Sequence, residues 1–207
     1  MKPKVKICGI TNLKDAILAE SLGADIIGFI FAESPRKVSE KQALEIIRKL
    51  KPFTLKAGVF VEPDGAKINR IVSSLGLDIA QVHGEVSLSC LKKIKNAKIL
   101  KVIKAKDEAY TASQVKKYIN HVDCFLFDTY DPSLHGGTGK QFDWTMLKKI
   151  SAPFFIAGGI KPETAGAIAG TIKPYGLDVS SGVEKAKGRK DPSKLKLFFN
   201  NVNKARW

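Results

Sequence analysis

The chain has 207 residues and a formal net charge of +15, from 35 basic and 20 acidic residues. This length can bury a full-sized hydrophobic core, so we expect a single domain over residues 1–207. No apolar run approaches the roughly 20 residues that a membrane-spanning helix needs. The basic N-terminus reaches Thr11 and Asn12 before a signal-length apolar segment forms, which favours a cytoplasmic protein.

Cysteine and histidine are too scattered to indicate a disulfide framework or a zinc site. The residues concerned are Cys8, Cys90, Cys124, His83, His121 and His135. No CxxC spacing occurs among them, and no two histidines have the close helical pairing of a zinc site. We therefore expect free thiols and no metal.

The basic excess has to be weighed as a possible sign of nucleic-acid binding. The lysines are dispersed over predicted helices, however, and no basic stripe is interleaved with aromatic residues. We interpret most of them as solvated helix faces and expect no nucleic-acid partner. Attraction of an anionic substrate is a further role for this charge.

Eight apolar runs of strand length recur along the chain, separated by segments with helical spacing. The predicted strands are 5–8, 26–31, 57–61, 79–82, 99–103, 124–127, 154–157 and 177–179. Eight repeats of about 26 residues each leave room for one strand, one helix and two short loops. Alternating apolar strands and helices predict a parallel sheet, and eight such units predict an α/β fold, a single-domain (β/α)8 TIM barrel. A doubly wound open sheet is the alternative, but no GxGxxG follows the first strand.

Helix starts agree with this spacing. Thr11 or Asn12 can cap the first helix, and Ser39 with Gln42 makes a capping-box pattern. Pro162 is suited to the first turn of the helix after the seventh strand.

Two reactive side chains, Cys8 and Asp128, end the first and sixth predicted strands. Alternation along a strand places Cys8 opposite Ile7 and Asp128 opposite Phe127. If the apolar residues pack under helices, the thiol and the carboxyl emerge together at the C-terminal edge, where this fold places its active sites. A base and an acid facing one substrate suit proton transfer. The alternatives are a buried hydrophobic role for Cys8 and a loop-capping role for Asp128.

Other strand ends supply polar residues to the same edge. Gln81 and His83 share one face of the fourth strand. His83 is either catalytic or a non-catalytic residue beside the site whose ring nitrogens are hydrogen-bonded. The loop after the second strand carries Arg36, for which the alternative is a solvated surface arginine.

Two glycine-rich turns follow the seventh and eighth strands, AGGIKPET at 157–164 and DVSSGVE at 178–184. Backbone N–H groups and a helix N-terminus at this place form a ready phosphate site. The candidate phosphate ligands are Gly158, Gly159, Ser180, Ser181 and Gly182. The alternative is two ordinary strand-to-helix turns.

The stretch GGTGK at 136–140 is not a Walker A loop, because Leu134 and Gln141 stand where that motif needs glycine and a hydroxyl residue. We interpret it as a mobile lid that closes on Asp128.

Seven motifs in order resemble phosphoribosylanthranilate isomerase of tryptophan biosynthesis, over nearly the whole chain. They are KICGIT, DIIGFIFAESPRKVS, GVFVE, QVHGE, FLFDT followed by GGTGKQFDW, FIAGGIKPE, and LDVSSGVE. The resemblance implies a metal-free and cofactor-free barrel that converts N-(5-phosphoribosyl)anthranilate to 1-(2-carboxyphenylamino)-1-deoxyribulose 5-phosphate. It also implies a small phosphorylated substrate and a monomer or homodimer.

The resemblance assigns roles to individual residues. It matches Cys8 to the general base, Asp128 to the general acid, and the two glycine-rich turns to the phosphate. Arg36 and Asp178 are expected to meet the anthranilate end of the substrate. For this chemistry we expect the environment of Asp128 to raise its pKa, and the iminium cation formed from the substrate, placed near Cys8, to lower the pKa of the thiol.

Two rival interpretations remain. A sugar-phosphate isomerase of histidine biosynthesis performs the same rearrangement, but we associate it with two catalytic aspartates and two phosphate sites, whereas the first strand here ends in Cys8. A basic nucleic-acid-binding domain would account for the charge, but not for Cys8, Asp128 or the glycine-rich turns.

Overall fold

The computed structural model describes residues 2–61, 64–129 and 144–205. Eight parallel strands form a closed barrel in chain order, and the last strand pairs with the first. They are β1 (Lys4–Ile7), β2 (Ile26–Ile30), β3 (Leu55–Val61), β4 (Ile79–His83), β5 (Lys98–Ala105), β6 (Cys124–Thr129), β7 (Phe154–Ile156) and β8 (Gly176–Val179). The predicted (β/α)8 barrel and its eight strands are confirmed.

Helices cover the outside of this barrel. They are α1 (Leu13–Ser21), α2 (Glu40–Ile47), α3 (Gly65–Leu75), α4 (Leu88–Lys93), α5 (Glu108–Tyr118), α6 (Pro162–Ile172) and α7 (Pro192–Lys204). Asn12, rather than Thr11, caps α1 by accepting from the backbone N–H of Asp15. The capping box of Ser39 and Gln42 is confirmed. No helix in the described ranges is long and apolar enough to cross a membrane.

The described residues between β6 and β7 differ from the other strand-to-strand connections. The described residues there form a 3-10 helix, Trp144–Lys149, instead of an α-helix. Pro153 closes this connection just before β7, and a proline disfavours helical geometry in the residue before it. The predicted lid at 136–140 and His135 lie outside the described residues.

Side chains alternate between two apolar layers. Val5, Ile7, Phe125 and Phe127 pack in the larger core, between the strands and the helices. A smaller cluster of alternate strand residues fills the barrel itself. Its members are Ile26, Ala57, Ile79, Leu100, Val102, Leu126, Phe155 and Ala157. The predicted division of faces around Cys8 and Asp128 is therefore confirmed.

A two-stranded antiparallel hairpin follows β8, and the sequence analysis did not predict it. It consists of β9 (Glu184–Ala186) and β10 (Arg189–Lys190). Gly188 turns the chain between them with φ +75°, in the region that glycine adopts most readily. Lys190 is almost completely buried, and its ammonium donates to the carbonyl oxygens of Cys8 at 2.7 Å and Ser180 at 3.1 Å. These bonds anchor the hairpin to the C-terminal ends of β1 and β8.

Candidate active site

The C-terminal ends of the strands enclose a cavity of about 350 Å³. All eleven residues predicted for the site line it: Cys8, Arg36, Gln81, His83, Asp128, Gly158, Gly159, Asp178, Ser180, Ser181 and Gly182. The barrel thus brings together side chains from both halves of the chain. Their roles stay predictions at this point.

Cys8 lies at the floor of this cavity beside a buried ion pair. Lys6 is fully buried, and its Nζ lies 3.0 Å from both carboxylate oxygens of Asp178. Gly28 on β2 leaves room for the thiol and the ammonium. A Cβ at that position would lie 3.0 Å from the Cys8 sulfur and 3.2 Å from Lys6 Nζ. Alternation along β1 puts Lys6 on the same face as Cys8, but its pairing with Asp178 follows only from the fold.

Burial disfavours ionisation of the Cys8 thiol in the ligand-free site. It raises the pKa of this thiol above its ordinary value, and the positive charge of Lys6 offsets this only in part. The expected lowering of the pKa by the iminium cation of the substrate stays a prediction. A strand pattern shows that Cys8 faces inward, but not that only 6% of it is exposed.

Lys6 keeps its charge despite its position. Burial acts to lower the pKa of Lys6, but the Asp178 carboxylate and the Cys8 sulfur outweigh it and raise the pKa. A cation paired with a carboxylate in this way places fixed positive charge beside the thiol.

Asp128 enters the cavity from the end of β6, and its side chain is partly exposed. Its register partner on β5 is Lys104. As predicted, Asp128 is on the face of β6 opposite Phe127, which is fully buried in the larger core.

Gln81 and His83 interact with one another on the inner face of β4. Gln81 Nε2 lies 3.0 Å from His83 Nε2. Burial and the charges of Lys6, Lys101 and Lys104 lower the pKa of His83 to about 4, so its imidazole is neutral at neutral pH. The buried Gln81 Oε1 has no hydrogen-bond partner among the described residues. These features favour a non-catalytic role for His83, which hydrogen-bonds to Gln81 beside the site. The Oε1 of Gln81 is left as an acceptor for a ligand.

Free hydrogen-bond donors mark the end of the cavity formed by the two glycine-rich turns. Gly158 and Gly159 have φ of +79° and +64°. A Cβ on Gly182 would overlap the carbonyl oxygen of Ile160, so the two turns pack against one another only with glycine there. Within the described part of the chain, the backbone N–H groups of Gly159, Ser181 and Gly182 have no hydrogen-bond acceptor, nor does Ser180 Oγ have a partner. Such donors suit an anion.

Arg36 lies at the mouth of the cavity in a bidentate ion pair. Its Nε and Nη2 donate to the carboxylate oxygens of Glu184 at 2.8 and 2.7 Å. Gly9 has φ +71°, and a Cβ on it would lie 2.6 Å from Arg36 Cδ. The arginine stem therefore lies across the residue that follows Cys8. The motif SSGVE contained Glu184, but only the fold shows that it meets Arg36.

The other reactive residues give no second site. Among the described residues, neither Cys90 nor Cys124 forms a disulfide, and neither lines the cavity. Burial raises the pKa of Cys124 to about 12, so this thiol is protonated at neutral pH. Among residues 2–61, 64–129 and 144–205, no group of three or more His, Cys, Asp or Glu side chains could hold a metal ion.

Comparisons with known proteins agree with the motif resemblance. The family model for N-(5'phosphoribosyl)anthranilate (PRA) isomerase matches residues 5–201. An N-(5'-phosphoribosyl)anthranilate isomerase from Pelobacter propionicus is 42% identical over 206 residues, which cover 98% of this chain and 97% of that protein. One from Petrotoga mobilis is 40% identical over 202 residues and covers 97% of each chain.

Solved structures resemble the fold over its whole extent. Phosphoribosyl anthranilate isomerase from Thermotoga maritima matches with a TM-score of 0.89 at 34% identity, covering 97% of this chain and 98% of that one. A phosphoribosyl anthranilate isomerase in complex with reduced 1-(o-carboxyphenylamino)-1-deoxyribulose 5-phosphate matches with a TM-score of 0.86 at 32% identity, with coverages of 97% and 98%.

Proposed function

Because the chain belongs to the N-(5'-phosphoribosyl)anthranilate isomerase family, we propose that its cavity carries out the family's Amadori rearrangement by general acid–base catalysis. The enzyme is an isomerase of tryptophan biosynthesis that acts on N-(5-phosphoribosyl)anthranilate. One observation carries the proposal: Cys8 and Asp128 line one cavity together with Arg36 and both glycine-rich turns.

Asp128 is the general acid that opens the ribofuranose ring. Its proton goes to the ring oxygen, the bond from that oxygen to C1 breaks, and the anthranilate nitrogen becomes an iminium. This carboxyl, at the end of β6, lines the same cavity as the glycine-rich turns and Arg36.

Cys8 is the general base that removes the proton from C2 of the opened sugar. In the ligand-free site its pKa is raised, so the thiol holds its proton until a cation arrives. The iminium is such a cation, and together with Lys6 it favours the thiolate at the moment when the C2 proton becomes acidic. Tautomerisation of the resulting enolamine then gives the ketose.

The two anionic ends of the substrate have separate sets of donors in the site. The phosphate is bound by the N–H groups of Gly159, Ser181 and Gly182 and by the Ser180 hydroxyl. The anthranilate carboxylate is bound by Arg36, whose planar fork suits it. Gln81 Oε1 accepts from a sugar hydroxyl, which would satisfy its buried acceptor.

Rescue of a tryptophan auxotroph lacking only this isomerase tests the proposal in cells. In vitro, purified protein should abolish the anthranilate-type fluorescence of the substrate, and Cys8→Ala protein should not. The phosphoribosyl substrate of the histidine-pathway isomerase serves as the control and should not turn over. Turnover of that substrate alone would reject the proposed substrate.

We also propose a homodimer in the cytoplasm, with no nucleic-acid partner. A solved structure with a TM-score of 0.85 is of monomers generated from a dimeric phosphoribosylanthranilate isomerase of Thermotoga maritima, which is the support for a dimer among relatives. Phe53 is 95% exposed beside an apolar cavity of about 480 Å³ at the N-terminal end of the barrel, a suitable surface for a second copy. In sedimentation velocity, Phe53→Glu should yield monomer, whereas Leu197→Glu on α7 should not. A monomeric wild type would reject the dimer.

A further inference from the structure

The carboxylate of Glu184 holds Arg36 from outside the cavity. Arg36 lines the cavity and Glu184 does not. Only 5% of the Glu184 side chain is exposed. It accepts from Arg36 Nε at 2.8 Å, Arg36 Nη2 at 2.7 Å, Lys190 Nζ at 3.0 Å and the Gly188 N–H at 3.3 Å. Burial would raise the pKa of Glu184, but the hydrogen bonds from Arg36 and the charge of Lys190 outweigh it and lower the pKa. The group is therefore a fixed anion.

Lys190 in turn fixes Glu184. Its Nζ donates to the carbonyl oxygens of Cys8 and Ser180, and its backbone N–H donates to Asp15 at 2.8 Å. These partners belong to three different parts of the barrel wall. A carboxylate held in this way is not free to follow the guanidinium if Arg36 turns.

Glu184 uses only one edge of the guanidinium. With Nε and one N–H of Nη2 occupied, Nη1 and the second N–H of Nη2 remain. Among the described residues these donors have no hydrogen-bond partner. They form a second fork that can bind a carboxylate through two parallel bonds. Because Arg36 lines the cavity and Glu184 does not, this second fork is the edge of the guanidinium that is open to a ligand there.

We propose that Glu184 is a positioning residue, which orients Arg36 so that its Nη1–Nη2 edge binds the aromatic carboxylate of the substrate. The inference rests on the proposed function, in which Arg36 binds that carboxylate. The same ion pair would have the opposite effect if Glu184 competed with the substrate for Arg36. Its burial and its hold by Lys190 favour positioning.

Glu184→Gln distinguishes these two effects. The amide keeps the size of the side chain but replaces one acceptor oxygen with an NH₂ donor. Both oxygens of Glu184 accept from Arg36, and one of them also accepts from Lys190 and Gly188. In either orientation of the amide, its NH₂ group therefore faces an N–H of Arg36, and one of the two hydrogen bonds to the guanidinium is lost. A competing anion would also be lost, which would strengthen substrate binding.

The measurement compares two inhibitors in each variant. One is reduced 1-(2-carboxyphenylamino)-1-deoxyribulose 5-phosphate, and the other is the same compound without its carboxyl group. The ratio of their Kd values reports the carboxylate contact and cancels general effects on the site. In the wild type we expect the carboxylate to improve Kd by about 10- to 100-fold. Glu184→Gln should reduce that advantage by at least about threefold, and Arg36→Ala should abolish it.

Glu40→Gln is the matched control. Glu40 forms an exposed bidentate pair with Arg70, at 2.9 and 2.7 Å, and does not line the cavity. This variant should keep the wild-type ratio. If Glu184→Gln does not fold, Glu184→Asp serves instead, because the shorter carboxylate cannot reach both guanidinium nitrogens without moving from Lys190.

The outcomes separate the inference from the function on which it rests. An unchanged or larger ratio in Glu184→Gln, with the ratio lost in Arg36→Ala, overturns the positioning role and leaves Arg36 in place. A ratio that survives Arg36→Ala removes Arg36 from carboxylate binding and overturns the inference as well. A change in Glu184→Gln that persists in the Arg36→Ala background also overturns it, because positioning through Arg36 requires Arg36.

Discussion

Cys8 and Asp128 are the residues on which the proposed chemistry depends most directly. Both line the cavity. Each supplies a group for proton transfer, whereas other residues are proposed to bind the phosphate and the carboxylate. We expect Cys8→Ala and Asp128→Asn each to lower kcat by about 10²- to 10⁴-fold while KM stays within about tenfold. Steady-state kinetics with the fluorescent substrate measures this. Cys90→Ala, outside the cavity, should behave as wild type, and near-normal turnover in a cavity variant would remove that residue from the mechanism.

His83 links the site to the acid stability of the protein. Its pKa of about 4 in the folded protein lies below the ordinary 6.5, so between these values the unfolded chain binds a proton that the folded site excludes. The free energy of unfolding therefore falls as the pH falls through this interval, by at most about 1.4 kcal/mol per pH unit from this group. His83→Gln should remove that contribution.

Urea unfolding followed across this pH interval measures the effect. His121→Gln, at a position outside the cavity, leaves His83 in place and should keep the wild-type pH dependence. Equal slopes in wild type and His83→Gln would contradict the assignment of a neutral, buried imidazole.

At the scale of secondary structure, the two turns after β7 and β8 act as one element. Gly182 packs on the carbonyl of Ile160, which joins the turns, and the unpaired N–H groups of both converge on the cavity. We expect inorganic phosphate and sulfate to compete with the substrate, and Gly182→Ala to weaken that inhibition by about tenfold or more because its Cβ separates the turns.

Competition kinetics with each anion tests this. Gly76→Ala is the control, because Gly76 ends α3 with φ +61° and has open space around its Cα, so its strain is local to that helix end. Noncompetitive inhibition, or equal inhibition of Gly182→Ala and wild type, would place the anion elsewhere.

The strands were predictable because each is a short apolar run between segments with helical spacing, as in the run 124–127. The hairpin of β9 and β10 was not, because its residues are mostly charged and its order comes from distant partners of Lys190. Elements stabilised by local pattern could be read from the sequence, and those stabilised by tertiary contacts could not.

For the whole molecule, closure of the barrel explains why the residues of the site were easier to predict than their burial and ion pairing. The fold rule alone sends strand ends to one edge, so all eleven residues fell in one cavity. Burial depth and pairing are results of closure. Lys6 and Lys190 had no predicted role, yet they are fully or almost fully buried and form ion pairs with Asp178 and Glu184.

The net charge of +15 is the property of the whole molecule whose role is open to a direct test. Its substrate carries a phosphate and a carboxylate, so a positive protein raises the rate of encounter, and salt screens this attraction over about 10 Å at 0.1 M. We expect kcat/KM to fall by about threefold or more between about 50 and 200 mM salt while kcat stays nearly constant.

The competing interpretation, nucleic-acid binding, predicts a different pattern. A gel shift with duplex DNA or RNA should show at most weak binding that disappears over the same salt range, because dispersed lysines give no continuous track for a phosphate backbone. Nucleic acid should also leave substrate turnover unchanged at about 150 mM salt, since the cavity admits only a small molecule. Tight binding that persists at that salt, or inhibition by a short duplex, would give the basic surface a partner that the isomerase reaction does not require.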